Sequence, residues 1–325
     1  DGNDTLIGDA NANDMEGRAG NDTLTGNGGN DVLDGEEGDD TFIATIDDGN
    51  DIYDGDGNTD TYDLSGTSAG ATVTSTSSTS AQTGTDVLVS IDRYIGSQGN
   101  DSITGDGGIE FFDGQGGNDT LAGLGGADIL IGGLGIDTAT YAASASAVTV
   151  NLTTGTGAGG DAAGDTLTGI ENLIGSAQGD TLNASTSGNV INGLIDGAGG
   201  NDTLNVTGTA AGDTLDVIYN GTSLTNVEGM TLTSIEAVTA NLLAANDTLS
   251  YAGTTAAVTV NLGAGTASGF TTATGIENVT GGSNNDSLTG STAANVMTGG
   301  AGNDTLAGGA GGDTAVFSGN FADYT

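Results

Sequence analysis

The sequence predicts an all-β fold, a parallel β-solenoid of short strands joined by glycine-rich turns. The first observation is a period of nine residues: between Gly17 and Ile43, an Asp and then a large apolar residue two places later recur at every ninth position. This period is too short for a pair of helices and fits a stacked β-solenoid. The second observation is the composition, with 62 Gly, no Pro and 4% aromatic residues among 325. Because repeat units contact only their neighbours, we expect a thin body with a narrow core of Leu, Ile and Val.

Residues 1–64 form the first block of this period. Its column of acidic or amide residues is Asp4, Asn13, Asp22, Asp31, Asp40 and, after two extra residues, Asp51 and Asp60. Glycines open the units and also stand two places before each Asp, at Gly17, Gly20, Gly26, Gly29, Gly35 and Gly38. Because Asn keeps the shape of Asp without its charge, we expect a weaker site at Asn13.

Residues 65–97 interrupt the period with a Ser/Thr-rich stretch. Such a composition is typical of a flexible linker. However, Val73, Val87 and Val89 alternate with polar neighbours, as the residues of half-buried strands do. We therefore expect longer rungs of the solenoid here.

The period returns in a second block, residues 98–140. Its column is Asp101, Glu110, Asp119, Asp128 and Asp137, and its glycines are Gly114, Gly117, Gly123, Gly126, Gly132 and Gly135. Glu reaches further than Asp and fits a tight turn less well, which makes Glu110 a doubtful ligand.

A spacer module separates the later blocks. Residues 141–179 contain an alternating strand with Val148, Val150 and Leu152, followed by the motif Ile170-Glu171-Asn172. A short third block, residues 180–205, has Asp180 and Asp202 in the Asp position. Residues 206–282 then repeat the spacer in degenerate form. Because nonapeptide blocks and spacer modules alternate along the whole repeat pattern, we predict one continuous solenoid without a true domain boundary.

The fourth block is residues 283–325. Its column is Asp286, Asn295, Asp304 and Asp313, with glycines at Gly299, Gly302, Gly308 and Gly311. Three aromatic residues follow, Phe317, Phe321 and Tyr324, which could cover an open end of the solenoid.

The units resemble the calcium-binding nonapeptide of RTX proteins, the haemolysin-type repeat G-G-x-G-x-D-x-U-x, in which U is large and apolar. The best copies are GGLGIDTAT at 132–140, GGAGNDTLA at 299–307 and GGAGGDTAV at 308–316. The spacer modules and the final segment are also similar to segments found between and after RTX blocks. The resemblance implies a right-handed parallel β-roll with two nonapeptides per turn. It also implies rows of calcium ions between stacked turns, so that calcium-rich and calcium-poor rungs alternate.

The chemistry of the turn suits calcium. Calcium prefers six to eight oxygen ligands at roughly 2.3–2.6 Å. Glycine reaches backbone conformations that point carbonyl groups inward, and Asp adds a short carboxylate. A single Asp more often only forms a turn, but phased columns favour calcium. We therefore predict several calcium sites, formed by the Asp columns and glycines of the four blocks.

An eighteen-residue turn would bring specific acids together. The expected neighbours are Asp4–Asp22–Asp40, Asp101–Asp119–Asp137, Glu110–Asp128, Asp286–Asp304 and Asn295–Asp313. Strands lie about 4.8 Å apart, and two carboxylates at that distance repel by roughly 1 kcal/mol in water and about 3–4 kcal/mol at an effective dielectric of 20. We therefore expect the blocks to be unfolded or loose without calcium.

The charge and composition exclude several functions. The net charge is −42, from 44 acidic and 2 basic residues, so no basic patch is available for nucleic acid. The chain has no Cys and no His, which excludes ordinary zinc sites and His-based triads. A glycosidase-type carboxylate pair is the remaining catalytic option, and the columns already account for most acids. We expect no enzyme and no membrane span. The Asn-Asp-Thr triplets match glycosylation acceptors, but the repeat generates them anyway.

Two functions remain open. The first is a secreted bacterial structural module at the cell surface or outside the cell, as part of a filament, surface layer, matrix or adhesin. The second is the secretion and folding-assist region of an RTX toxin, protease or lipase whose catalytic domain lies elsewhere; the resemblance implies type I export. Repeat sequence at both ends suggests a segment of a longer protein. The expected partners are calcium and, end to end, further copies of the chain.

Overall fold

The computed structural model describes residues 2–186 and 193–317, and the chain forms two compact units. Unit 1 comprises Asp1–Val148 and Gly155–Ile174, and unit 2 comprises Thr149–Thr154 and Gly175–Thr325. The described residues form short β-strands and only two 3-10 helices, Gly160–Ala162 and Leu262–Ala264. Phe321 and Tyr324 lie outside the described residues, and the single continuous solenoid stays a prediction.

Unit 1 contains nineteen of the strands. They are β1 Thr5–Ile7, β2 Asp14–Glu16, β3 Thr23–Thr25, β4 Val32–Asp34, β5 Thr41–Ile43, β6 Ile52–Asp54, β7 Thr61–Asp63, β8 Ala71–Thr74, β9 Ser77–Ser80, β10 Gly84–Val89, β11 Arg93–Ile95, β12 Ser102–Thr104, β13 Phe111–Asp113, β14 Thr120–Ala122, β15 Ile129–Ile131, β16 Thr138–Thr140, β18 Thr156–Ala158, β19 Thr166–Thr168 and β20 Asn172–Ile174.

The strands of unit 1 form two sheets of mainly parallel pairs. One runs β1-β3-β5-β7-β11-β13-β15-β19, with β18 antiparallel to β19. The other joins β2-β4-β6 to β12-β14-β16-β20 through the antiparallel set β10-β9-β8. Apart from β8–β10 and β18–β19, successive strands along the chain alternate between the sheets, so a regular turn of the roll contributes one strand to each.

Unit 2 contains the remaining strands. They are β17 Thr149–Asn151, β21 Thr181–Ser185, β22 Leu194–Asp196, β23 Thr203–Thr207, β24 Thr214–Tyr219, β25 Leu224–Val227, β26 Met230–Thr233, β27 Ala237–Asn241, β28 Thr248–Ser250, β29 Thr259–Asn261, β30 Thr266–Ala267, β31 Thr272–Thr274, β32 Asn278–Thr280, β33 Ser287–Thr289, β34 Val296–Thr298, β35 Thr305–Ala307 and β36 Thr314–Val316.

Unit 2 repeats the parallel arrangement. One sheet runs β17-β21-β23-β27-β31. A second runs β22-β26-β25-β24-β28-β32-β34-β36, in which β25 is antiparallel to both of its neighbours, β24 and β26. A third contains β30-β29-β33-β35. The predicted all-β parallel β-roll is therefore confirmed in both units.

The core is formed by the central residue of each strand, where the period places a large apolar side chain. Leu24, Leu33, Phe42, Leu121 and Leu288 are fully buried. One turn takes 18 to 22 residues within the nonapeptide blocks, whereas turns that include spacer sequence take up to 37. The strands stay in register in both cases, because each pairing keeps the same central residue in the core.

The structure corrects one part of the prediction for residues 65–97. Val73 is buried in β8, but Val87 and Val89 are 47% and 38% exposed. Asp86 and Leu88 are the buried residues of β10. Because side chains alternate along a strand, the inward position of Asp86 turns both valines to solvent.

Candidate metal centre

The Asp columns are held together by main-chain hydrogen bonds from turn to turn. The N–H of Asp4 donates to Asp22 Oδ1 at 2.6 Å, and that of Asp22 donates to Asp40 Oδ1 at 2.7 Å. Bonds of the same kind, 2.7–3.0 Å long, join Asn13 to Asp31, Asp31 to Asp51, Asp40 to Asp60, Asp101 to Asp119, Asp119 to Asp137, Glu110 to Asp128, Asp180 to Asp202, Asp286 to Asp304 and Asn295 to Asp313. The structure thus brings together the neighbours that an eighteen-residue turn predicts.

The second carboxylate oxygen is different, because in many turns it is buried without a hydrogen-bond partner. This holds for Oδ2 of Asp22, Asp31, Asp40, Asp60, Asp119, Asp128, Asp137, Asp202 and Asp247, and for Oε2 of Glu110. A buried charge without a partner is strongly unfavourable. A cation beside these oxygens would supply the missing partner.

The first glycine of a unit leaves the space that such a cation needs. A Cβ atom at Gly17 would lie 2.5 Å from Asp22 Oδ2 and 2.9 Å from the carbonyl oxygen of Gly35, one turn further on. At Gly114, a Cβ atom would likewise meet Asp119 Oδ2 and the Gly132 carbonyl oxygen. A carboxylate oxygen and a carbonyl oxygen therefore border the same small space, and both are hard ligands of the kind that calcium prefers. The same arrangement surrounds Gly197, next to Asp202 Oδ2 and the Ser234 carbonyl oxygen.

The second glycine of a unit serves the backbone instead. Its φ lies between 118° and 151° at Gly20, Gly29, Gly38, Gly117, Gly126, Gly135, Gly302 and Gly311. Side chains rarely tolerate this conformation. A Cβ atom at Gly38 would also strike the Gly20 carbonyl oxygen of the preceding turn. This glycine therefore allows the turns to stack closely.

Burial raises the pKa of the column acids. It raises the pKa of Asp60 and Asp119 to about 7, and neighbouring carboxylates add to the effect. For Glu110, burial and the adjacent Asp128 carboxylate raise the pKa to about 8. Burial also raises the pKa of Asp40 and Asp137. Without a cation, Glu110 therefore favours the protonated acid at neutral pH, and Asp60 and Asp119 titrate near neutral pH.

The columns include acids that the glycine pattern did not reveal. Oδ1 of Asp86, Asp165 and Asp247 accepts the N–H of Asp51, Asp128 and Asp213, at 3.1, 2.9 and 2.7 Å. Each of these acids precedes a buried Leu by two places, so the pair D-x-L was the available signal. At Asp247 the fully buried Leu242 replaces the first glycine, so we do not count this turn as a site.

Acids of the spacer motif close four columns. Each closing carboxylate accepts the N–H of the acid before it in the column: Asp92 from Asp60 at 3.1 Å, Glu171 from Asp137 at 2.9 Å, Glu236 from Asp202 at 2.8 Å and Glu277 from Asp247 at 3.0 Å. All four follow an Ile. The recurring Ile-acid pair was visible in the sequence, but its role at the end of a column was not.

Tyrosine hydroxyls satisfy three further carboxylates. Tyr53, Tyr62 and Tyr141 donate to Oδ2 of Asp51, Asp86 and Asp165, at 3.0, 2.8 and 2.9 Å. These tyrosines lie in the core, so the bonds are buried. They provide a partner for the second oxygen at Asp86 and Asp165, where two columns end, and at Asp51, one turn before Asp86.

The remaining predicted residues lie at the margins of the columns. Asp4 is exposed, and Asp304 and Asp313 are half-buried. Within residues 2–186 and 193–317, no three acidic side chains lie close enough to hold a metal ion by themselves. A cation would therefore be bound by one or two carboxylates together with carbonyl oxygens. In the same residues, no helix has the length and apolar character needed to span a membrane.

Comparison with known proteins agrees with this geometry. A model of the family described as RTX calcium-binding nonapeptide repeat (4 copies) matches residues 1–24, 7–42, 90–108, 104–139 and 280–315. No curated protein matches the chain. The matched segments contain the columns of Asp22, Asp119 and Asp304 with their paired glycines. In these segments, which together cover less than half of the chain, the chain therefore carries RTX calcium-binding nonapeptide repeats.

Proposed function

We propose that the chain is a structural module that folds when calcium binds between its stacked turns. The supporting observation is the series of buried Oδ2 atoms without a partner; at Asp22, Asp60, Asp119, Asp137 and Asp202 the first glycine of the unit leaves a space that Oδ2 and a carbonyl oxygen of the next turn both border. In this proposal Asp22, Asp40, Asp119, Asp128 and Asp137 provide carboxylate ligands. Calcium neutralises them and links successive turns.

The energetic argument is that the empty sites oppose folding. Several like charges are brought into adjacent turns, and their second oxygens lose water without gaining a partner. Net stability of a domain is only about 5–15 kcal/mol. A few uncompensated carboxylates are therefore enough to prevent folding, and bound calcium removes this penalty.

The test is far-UV circular dichroism of the chain in excess chelator and in millimolar calcium. We expect most of the β signal to disappear in chelator and to return with calcium. Sodium chloride at matched ionic strength should not restore it, because it screens exposed charges only. Magnesium should restore it poorly, since Mg²⁺ requires near-ideal octahedral geometry and releases its waters reluctantly. An unchanged spectrum in chelator would refute the proposal.

We propose an extracellular or cell-surface setting in a bacterium, where the module serves a filament, surface layer, matrix or adhesin. The resemblance to RTX proteins supports secretion. The spacer turns inserted between calcium-binding turns favour this function over the alternative, a secretion and folding-assist region of a toxin, protease or lipase. We propose no catalytic role, because hydrogen bonds in the columns already engage the buried acids.

A further inference from the structure

The residue four places before a column Asp differs between turns whose Oδ2 is unpartnered and turns whose Oδ2 accepts a backbone N–H. In the nonapeptide turns whose column residue is an Asp with an unpartnered Oδ2, the residue four places earlier has a left-handed backbone. The φ values are 78° at Arg18, 61° at Asn27, 64° at Glu36, 60° at Asp56, 67° at Gln115, 64° at Leu124, 105° at Gly133 and 65° at Ala198. In this conformation its N–H does not reach the carboxylate.

In six other turns the same position lacks the left-handed backbone and donates to the column residue. Ser97 donates its N–H to Asp101 Oδ2 at 2.7 Å and its hydroxyl to Oδ1 at 2.9 Å. Ser176 makes the same two bonds to Asp180, at 2.6 and 2.8 Å. The other four turns have the N–H bond: Thr209 donates to Asp213 at 2.6 Å, Gly282 to Asp286 at 2.6 Å, Ser291 to Asn295 at 2.7 Å and Asp9 to Asn13 at 2.9 Å.

These six column residues share a second property: each is the first acidic or amide residue of its column. We name Asn13, Asp101, Asp180, Asp213, Asp286 and Asn295 the start caps. Asp101 accepts the N–H of Ala71 from the turn before it, and Asp286 accepts the N–H of Val258 in the same way. Neither of these preceding turns contains a column acid. At Asp101 and Asp286 the start cap therefore marks the place where spacer sequence passes into a column.

We propose that the start caps bind no calcium and that calcium uptake begins at the next turn of each column. This proposal rests on the proposed function, because it assigns which turns take the ion. An N–H group 2.6–2.7 Å from Oδ2 directs the positive end of its dipole to the oxygen that a cation would need. It also satisfies that oxygen, so the turn folds without an ion and provides a template for the next one. Asn13, Asp101, Asp180 and Asp286 thus leave the ligand set that the spacing predicts.

The test is the number of calcium ions bound by the full chain, counted by native mass spectrometry in saturating calcium. Asp101→Asn and Asp119→Asn form a matched pair, since both residues are buried in one column. We expect Asp119→Asn to lose at least one ion and Asp101→Asn to keep the wild-type number. Loss of an ion in Asp101→Asn would overturn the proposal. A wild-type chain without bound calcium would instead refute the proposed function itself.

A second pair in unit 2 guards against a folding defect in the first. Asp180→Asn and Asp202→Asn differ in the same way, because Ser176 satisfies Asp180 whereas Asp202 Oδ2 is unpartnered. Circular dichroism shows whether each variant has kept its β signal. The expected result is an unchanged ion number in Asp180→Asn and a lower number in Asp202→Asn. Loss of bound calcium in a start-cap variant that keeps its β signal overturns the proposal, and so does loss of the β signal by both start-cap variants in saturating calcium.

Discussion

Gly125 and Gly126 are neighbours in one turn, yet only one of them needs to be glycine. Gly126 has φ 151°, and a Cβ atom there would strike the Gly108 carbonyl oxygen of the preceding turn. A Cβ atom at Gly125 would have Gly107 Cα as its nearest neighbour, at 3.9 Å. The same residue type is thus required at one position and permitted at the next.

This pair gives a direct prediction. Gly126→Ala should lower the free energy of unfolding by about 1–3 kcal/mol or more, because the substitution adds backbone strain and a clash. Gly125→Ala should change it by less than about 0.5 kcal/mol. Urea denaturation of both variants in millimolar calcium measures the difference. Equal midpoints would show that the turns do not stack as described.

The raised pKa values predict how the calcium-free chain responds to acid. Burial raises the folded-state pKa of Asp60 and Asp119 from 3.8 to about 7. The folded chain therefore holds protons that the unfolded chain releases between these values, so folded-state stability falls as pH rises from about 4 to about 7. In chelator, the β signal should be stronger at pH 5 than at pH 8. In saturating calcium, the signal should stay constant between pH 7 and 8. A calcium-free signal independent of pH would contradict the assignment.

The phase of the Asp residues was sufficient to predict which residues form columns. The division between the two oxygens of each carboxylate was not predictable. It depends on the left-handed residue four places earlier, which is Arg18 in one turn and Leu124 in another. No single residue type marks the left-handed position, whereas Ser or Thr occupies the same position in four of the six start caps.

The strands were predictable for a related reason. The pair D-x-U places one acid at the turn and one apolar residue in the core, and this holds even in β10, where the expected valines proved to be exposed. The antiparallel strands β9 and β25 were not predicted. They do not follow the nine-residue period, and their pairing depends on neighbours that the sequence does not identify.

The acids that close the columns provide a prediction for the spacer. Glu171 accepts the N–H of Asp137 at 2.9 Å. Glu171→Ala should destabilise the chain by about 1–3 kcal/mol, because it leaves a buried N–H without an acceptor. Glu171→Gln retains a hydrogen-bond acceptor and should therefore lose much less stability. Chemical denaturation in calcium compares the two, and similar losses would show that the charge matters and not the hydrogen bond.

Each unit also has strands with an open edge within the described residues. In unit 1, β1 pairs only with β3 and β2 only with β4. In unit 2, β35 pairs only with β33 and β36 only with β34. Strands with unpaired edges can recruit another chain. The net charge of −42 opposes association of the chains. Bound calcium would reduce this negative charge.

We therefore predict that calcium promotes self-association through these edges. Sedimentation velocity in millimolar calcium should show larger species as the protein concentration increases. Sodium chloride at the same ionic strength should not produce them. Strictly monomeric chains in calcium would favour the function as a secretion and folding-assist region.

The division into two units was not visible in the sequence. The spacer module occurs in several places with similar residues, so its copies give no sign of a boundary. Residues 149–154 belong to unit 2, although 155–174 belong to unit 1. Such an assignment depends on contacts between distant residues, and a local period carries no information about them.

The variable length of the turns has a consequence for how such a chain can evolve. The antiparallel set β8–β10 lies within the roll, yet β8 pairs onward with β12 and β10 pairs back with β6 in unbroken register. New sequence can thus enter at this place without displacing the acids before or after it. Duplication of eighteen residues lengthens the roll, and insertion diversifies its surface. A foreign peptide grafted between Thr74 and Ser77, at the tip of the β8–β9 hairpin, would be displayed on a scaffold that need not change to carry it.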